Sequence, residues 1–466
     1  MTADSLTLML GLIGVVVLVA SLLSGFIERT NFPQVAVFLA LGALVGPHGL
    51  GVLDVGIDSP ILRMVATLSL TLVLFTDALT IDLQDVRRHA SLAAIILGPG
   101  TVIAAALIAL AATGVLGLPL ALAAILAAPL ASTDPVLLRG LLRRPSLPTA
   151  ARQALRLESG LNDVVLLPIV LVAMTFATDG GEKTGAGKLL LQMLVLGPGA
   201  GALVAWLAIM LLQTIRARVG VRRDYESLYS LGVALAAFAA AESLHGSGFL
   251  AAFAAGLTIA ALDVELCDCF REYGETTAEM LLLFTFVLLG TSLMWMGLRN
   301  VSLTLALFVV LALAARPLAL ALALWRTQTD SEAKRAIVWY GPRGLSSLLL
   351  ILVPVFALMP GTESLFHIAS VVVLVSIVVN GGSMISWSAA GHSGKQVQAT
   401  IMTVEELQKL ISSGEPVWLL DVRTEKSFLA SEQMIKGSVR IDPQHARRDA
   451  IQQGVPKDAW AALFCT

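Results

Sequence analysis

The 466-residue chain is 57% hydrophobic and only 14% charged, with a mean hydropathy of +0.84. Soluble domains carry about 25% charged residues, so most of this chain must be solvated by lipid, and a wholly soluble fold is excluded. The net charge of −2, with no basic tract, leaves no footprint for nucleic acid.

Apolar runs near the length that spans roughly 30 Å of hydrocarbon fall at about 6–27, 33–47, 61–80, 90–114, 118–134, 155–178, 189–214, 227–243, 247–262, 278–297, 301–325, 335–358 and 364–388. They predict an all-α polytopic membrane protein of about thirteen helices. The first run lacks a basic leader and a small-residue cleavage site, so it reads as a retained helix and not a signal peptide. Lys and Arg concentrate on the cytoplasmic side of membrane proteins. With the N-terminus outside, the inner loops hold Arg29; Arg87 and Arg88; Arg139, Arg143, Arg144, Arg152 and Arg156; Arg216, Arg218, Arg222 and Arg223; Arg271; and Arg326, Lys334 and Arg335. The outer loops hold Arg63, Lys183, Lys188 and Arg299, a bias of roughly fourfold. This predicts a multi-pass protein of the inner or plasma membrane, N-terminus out and C-terminus in.

Composition changes near residue 390. Residues 1–390 form the transmembrane domain, and 391–400, opening Gly391-His392-Ser393-Gly394-Lys395, read as a linker. Residues 401–466 are soluble in character. Val404-Glu405-Glu406-Leu407 opens an amphipathic helix, and Val417-Trp418-Leu419-Leu420 looks like a buried strand ending in Asp421-Val422-Arg423. The three cysteines, Cys267, Cys269 and Cys465, form no even framework for disulfides. Cys267-Asp268-Cys269 has the donors for a soft metal, but no second ligand pair accompanies it.

Chemistry concentrates in two apolar segments. Asp134, in Ala131-Ser132-Thr133-Asp134-Pro135, and Asp163, in Glu158-Ser159-Gly160-Leu161-Asn162-Asp163, both lie at membrane depth. A charge there costs several kcal/mol unless paired or wet, so it is functional by default. Pro135 removes a backbone donor and biases Asp134 away from helical geometry, which predicts an unwound stretch. Gly341-Pro342-Arg343-Gly344 interrupts another segment in the same way. If segments one to six correspond to eight to thirteen, the broken ones, five and twelve, are equivalent. Such paired breaks in inverted repeats point to a midplane transport site. No residue-level repeat accompanies them; Leu97-Gly98-Pro99-Gly100 and Leu196-Gly197-Pro198-Gly199 are similar but occupy non-equivalent segments.

Ser159 and Asp163, spaced i, i+4, share one helix face, and Glu158 and Asn162 share the next. The carboxylate and hydroxyl are hard oxygen ligands for Na⁺, Li⁺ or a proton, and Thr133 and Asp134 are placed to complete a small oxygen cage. Two ionised carboxylates so close repel, so protons and a cation compete for one site. Arg343 reads as structural, a partner for Glu158 or for unwound carbonyls, whereas Arg316, before Pro317, either faces the core or snorkels. The glycines around Ser247-Gly248-Phe249-Leu250-Ala251 serve close helix packing. His245 reads as a loop residue, and His48, His89 and His367 as loop or interface residues.

These residues together resemble the cation–proton antiporter family, specifically its electroneutral Na⁺/H⁺ exchanger branch. The match runs from roughly residue 6 to 388 and rests on Thr133-Asp134-Pro135, Glu158-Ser159 with Asn162-Asp163, Gly246-Ser247-Gly248-Phe249-Leu250-Ala251, Arg316-Pro317 and Gly341-Pro342-Arg343-Gly344. The resemblance implies a thirteen-helix homodimer in the lipid bilayer, with a six-helix core sliding against a dimerisation scaffold. It also implies a transporter of monovalent cations that is not an enzyme and needs no cofactor. Asp163 would be the main ion- and proton-binding carboxylate, with Asp134, Ser159, Thr133 and Glu158, through water, completing the Na⁺ site. Asn162-Asp163 resembles the branch exchanging one cation for one proton.

The tail resembles a rhodanese-like α/β domain in Trp418-Leu419-Leu420-Asp421-Val422-Arg423, Ile435-Lys436-Gly437-Ser438 and Leu463-Phe464-Cys465-Thr466. One residue follows Cys465, so the cysteine loop of that family is not in this sequence, and Gln433-Met434 replace its usual Gly-His. As written, this fragment is expected to lack sulfurtransferase activity; either the sequence is truncated or the tail has another role. K⁺/H⁺ exchange and passive cation conduction remain open alternatives. A membrane-tethered sulfur enzyme would leave Asp134 and Asp163 unexplained.

Overall fold

Backbone N–H and C=O groups facing lipid find no water, so long apolar stretches satisfy them internally as helices. The computed structural model describes residues 11–22, 34–81, 90–178, 187–219, 223–262, 268–390, 404–413, 417–423, 437–441 and 460–464, less a few positions inside these ranges and with a few isolated ones beyond them. Among the described residues, eight helices are long and apolar enough to cross a membrane and five shorter apolar helices accompany them. There is one for each predicted segment. The chain divides into two compact units, Met1–Gly391 and His392–Thr466.

In the first unit, α1 (Ile13–Leu22), α2 (Gln34–Val45) and α3 (Pro60–Leu79) are followed by α4 (Ala90–Ile95) and α5 (Thr101–Leu116). The fifth segment is α6 (Leu120–Ala131) and α7 (Pro135–Leu142), separated by an unwound stretch, and α8 (Thr149–Thr178) follows. Next come α9 (Gly197–Arg218), α10 (Arg223–Ser243), α11 (Gly248–Ala261), α12 (Asp268–Thr291), α13 (Leu293–Arg299) and α14 (Leu303–Leu324). The twelfth segment is again broken, into α15 (Ser331–Trp339) and α16 (Leu345–Phe356), before α17 (Thr362–Ala390). The longer half precedes the break in one segment and follows it in the other.

Packing sorts these helices into two groups. Helices α5, α6, α8, α14, α16 and α17 pack on one another as a core, and α2, α3, α9, α10, α11 and α12 as a scaffold. The seam runs mainly where α3 meets α8 and α16, and where α13, continuing the scaffold chain, meets α17. Small residues make the scaffold crossings close. A Cβ on Gly42 of α2 would lie 2.3 Å from the Val287 carbonyl oxygen, and one on Gly290 of α12 would lie 2.7 Å from that of Leu39. Gly201 sits against the Ala251 carbonyl and Gly256 against that of Phe75, which is the tight packing expected around residues 247–253.

The two Leu-Gly-Pro-Gly sequences also share a local structure. Residues Ile96–Gly100 and Gln192–Leu196 each form a π-helical turn. A proline lies inside the first and just beyond the second, and a proline that cannot donate is a common cause of such a departure from the α-helical ladder.

In the second unit, α18 (Val404–Ser412) precedes β1 (Val417–Asp421), β2 (Val439–Arg440) and β3 (Trp460–Phe464). The strands form one parallel sheet of order β2-β1-β3, so the expected strand at 417–420 is its centre. Asp421 and Arg423 close an ion pair at 2.6 Å. The linker at 391–400, Gln433-Met434 and Cys465 lie outside the described residues.

The α2–α12 crossing yields a stability prediction. Gly42→Val places methyls against backbone that cannot rotate away and is expected to cost about 1–3 kcal/mol, seen as a lower melting temperature in detergent. Gly114→Ala, where a Cβ meets nothing within 4 Å, should leave that temperature unchanged or slightly higher.

Candidate ion-binding site at the crossed unwound segments

Residues 132–134 leave the helix because Pro135 cannot continue it from within. Ser132 is extended, with φ −65° and ψ 145°, and Pro135 opens α7, where its missing N–H costs nothing. Asp134 then acts as an N-cap: its Oδ1 accepts from the Val136 N–H at 2.8 Å and the Leu137 N–H at 3.4 Å. Its Oδ2 accepts from the Leu345 N–H at 2.6 Å. One carboxylate therefore caps two half-helices, α7 and α16, whose positive dipole ends favour it. The Asp134 N–H in turn donates to the Pro342 carbonyl at 3.0 Å.

Arg343 closes the opposite pole. Its Nη1 donates to the Ala131 and Ser132 carbonyls at 3.1 and 3.2 Å, the exposed negative end of α6. Its own N–H donates to the Ser376 hydroxyl of α17 at 2.8 Å. Of the alternatives open for Arg343, it bonds unwound carbonyls. The two glycines flanking Pro342-Arg343 have separate steric reasons. A Cβ on Gly344 would strike the Asp134 carboxylate, and one on Gly341 would strike the Arg316 guanidinium.

Arg316 faces the core. Its Nε and Nη2 donate to Glu158 Oε1 and Oε2 at 2.8 and 2.7 Å, a bidentate pair, and its Nη1 donates to the Val338 carbonyl at 3.2 Å. Glu158 also accepts from the Thr133 hydroxyl at 3.5 Å. Asn162 Nδ2 donates to the Thr133 hydroxyl at 2.8 Å and carbonyl at 3.4 Å. Thr133, Glu158 and Asn162 thereby tie the first break to α8 and, through Arg316, to α14.

Asp163 stands differently. It is 5% exposed, and its one hydrogen bond among the described residues comes from the Ser132 hydroxyl, at 2.7 Å to Oδ1. Asp134 lies near enough for the two charges to interact. Ser159 does not bond Asp163; its hydroxyl donates to the Arg156 carbonyl at 3.3 Å. Five charged side chains are buried among the described residues of this unit: Asp134, Glu158, Asp163, Arg316 and Arg343. Four are matched to a helix end or to each other. Asp163 has no cationic partner among the described residues.

A cavity of about 420 Å³ leads to this region along the seam. Asp77 of α3, Thr80 just beyond its end, and Glu275 and Glu279 of α12 line it on the scaffold side, and Ser159 and Ser346 on the core side. A neighbouring cavity of about 290 Å³ shares Asp77, Thr80, Arg152 and Arg156. Sequence reasoning missed Ser132, Ser346 and these three scaffold acids. Asp77, alone in an apolar run, and Glu275 with Glu279, one turn apart, were the available signals. His245 occupies the turn between α10 and α11 with a φ of 57°. His48 and His89 lie outside the described residues, as do the side chains of Cys267-Asp268-Cys269.

Two broken helices crossing at buried carboxylates, with a cavity that reaches Ser159 and Ser346 beside them, fit a polytopic membrane transporter architecture. Residues 14–389 match the family described as "Sodium/hydrogen exchanger, transmembrane", and the chain belongs to that family, as the motifs led one to expect. It is 28% identical over 394 residues to the K(+)/H(+) antiporter NhaP of Alkalimonas amylolytica, covering 82% of this chain and 66% of that protein. It is 27% identical over 246 residues to the Na(+)/H(+) antiporter NhaS2 of Synechocystis sp. (strain ATCC 27184 / PCC 6803 / Kazusa), covering 53% and 43%. The chain thus spans about two thirds of the length of the first of these curated relatives. Its fold is similar to that of the sodium proton antiporter MjNhaP1 from Methanocaldococcus jannaschii, with a TM-score of 0.67, 20% identity, and coverage of 83% and 98%.

The Glu158–Arg316 pair gives the site its sharpest structural test. Arg316→Met strands a buried carboxylate and should cost about 3–5 kcal/mol, whereas combining it with Glu158→Gln removes both charges and should recover most of it. Thermal unfolding of the single and double variants, taken as a cycle, measures the difference.

Proposed function

We propose that the protein is a secondary-active monovalent cation/proton antiporter, exchanging Na⁺ or Li⁺ for H⁺ electroneutrally. The observation that carries this reading is Asp163, a buried carboxylate without a cationic partner among the described residues, beside two broken helices. A proton or a metal cation neutralises it, one at a time. Asp134, Ser159 and the Thr133 oxygens complete the cation site, Glu158 acts through water, and Asn162, Arg316 and Arg343 support the scaffold of bonds around them.

The cavity along α3 and α8 opens toward the segment ends flanked by the Arg-rich loops, which the charge rule assigns to the cytoplasm. Cytoplasmic cation entering there displaces the proton from Asp163. The six-helix core then slides against the scaffold, releases the cation outside and returns with a proton. The working unit is a homodimer in the inner or plasma membrane, with its N-terminus outside. Residues 391–400 link it to a cytoplasmic rhodanese-like fragment, 401–466. A second reading, K⁺/H⁺ exchange, is favoured by the names of the NhaP relatives; oxygen ligands serve either ion, and cavity size decides between them.

Proteoliposomes carrying a pH-sensitive dye test the proposal. Addition of Na⁺, Li⁺ or K⁺ should dequench the dye, with an apparent KM that falls as pH rises because fewer protons compete. Asp163→Asn should abolish the signal for every cation. Wild-type exchange in that variant, or cation flux indifferent to a proton gradient, would rule out the mechanism, and the latter would favour a channel.

A further inference from the structure

We propose that the Ser132 hydroxyl is an additional ligand of the cation at Asp163 and the adaptor that lets one carboxylate serve both cargoes. This inference rests on the antiporter reading and deepens it. Ser132 is fully buried, and its backbone is pinned twice: its N–H donates to the Pro129 carbonyl at 3.1 Å, and its carbonyl accepts from Arg343 at 3.2 Å. The hydroxyl projects from that fixed point to Asp163 Oδ1 at 2.7 Å, in the range of strong bonds from hydroxyl to carboxylate.

Its second neighbour is Asn162 Oδ1, at 3.4 Å. The orientation of that amide follows from chemistry. The Thr133 carbonyl can only accept, so the Asn162 NH₂ must face it, which turns Oδ1 toward Ser132. Asp163 Oδ1, Asn162 Oδ1 and Ser132 Oγ therefore converge as three hard oxygens. A hydroxyl has one hydrogen and two lone pairs. With Asp163 ionised, it donates to the carboxylate. With Asp163 protonated, it accepts that proton's hydrogen bond and turns its own hydrogen to Asn162 Oδ1. With a cation bound, the same turn leaves a lone pair for the metal. The Ser159 hydroxyl, bonded within its own helix, has no such pair of neighbours.

The test uses the full chain, purified in detergent for Li⁺ and Na⁺ binding by thermal stabilisation, and in proteoliposomes for exchange. Ser132→Ala should raise both the apparent Kd and the KM for Li⁺ and Na⁺ at least fivefold, with a smaller fall in maximal rate. Ser132→Thr, which keeps the hydroxyl, should return both within twofold of wild type. Ser132→Cys preserves volume while replacing a hard ligand with a soft one, and serves in place of alanine if that variant does not fold. Kd and KM within twofold of wild type in the alanine or cysteine variant would overturn the proposal. Retention of exchange by Asp163→Asn would instead overturn the antiporter reading, because the Ser132 binding measurement does not depend on transport.

Discussion

The fold depends on satisfying four helix ends inside the hydrocarbon region. Two helices stop and restart where no bulk water can bond their orphan N–H and C=O groups, an arrangement tolerated only when protein supplies the partners. Asp134 supplies an acceptor to both N-terminal ends, and Arg343 supplies donors to a C-terminal end. The charges match the local dipoles in each case, so the pair acts at a distance through backbone and needs no direct contact. Removing either would leave several buried polar groups unpaired at once, each costing about 1–3 kcal/mol. That explains why such expensive residues occupy the centre of an otherwise apolar core.

The seam between core and scaffold is asymmetric along α3. Near its first turn, Arg63 donates to the Phe356 carbonyl at 2.5 Å and lies 5.7 Å from that residue's ring, joining α3 to the end of α16. Near its last turn, Asp77 and Thr80 line the cavity that reaches Ser159 and Ser346. Fourteen residues separate Arg63 from Asp77, about 21 Å of helix. The seam is therefore bonded at one end and polar and accessible at the other, the asymmetry that alternating access requires of any single conformation.

Much of this was legible because lipid makes sequence patterns severe. Length and apolarity located the helices, and proline beside Asp134 or Arg343 located both breaks, since few residues tolerate either position without a purpose. The pairings were less accessible. Arg316 is 158 positions from Glu158, and nothing local distinguishes a core-facing arginine from one that snorkels. Gly341 and Gly344 read as helix breakers, but their separate fits to Arg316 and Asp134 exist only in three dimensions. Ser159 was placed near Asp163 by helical spacing, which fixes a shared face and not a shared rotamer; its hydroxyl instead turned back to its own helix. Ser132 was overlooked because spacing arguments end where a helix unwinds.

The five buried charges explain why one carboxylate suffices for coupling on the proposed reading. Among the described residues, the buried Asp134, Glu158 and Asp163 are offset by Arg316 and Arg343, leaving a single formal negative charge that resides on Asp163. Transferring an ion of carboxylate size into a medium of low dielectric constant costs of order 20 kcal/mol before relaxation, so a core with Asp163 ionised is held back from moving through the hydrocarbon region. One proton or one monovalent cation brings the total to zero. Both loaded forms then cross with the same charge, and the membrane potential does no net work on either step. That balance is what the proposed electroneutral one-for-one exchange requires, and a second uncompensated carboxylate in place of Asn162 would break it.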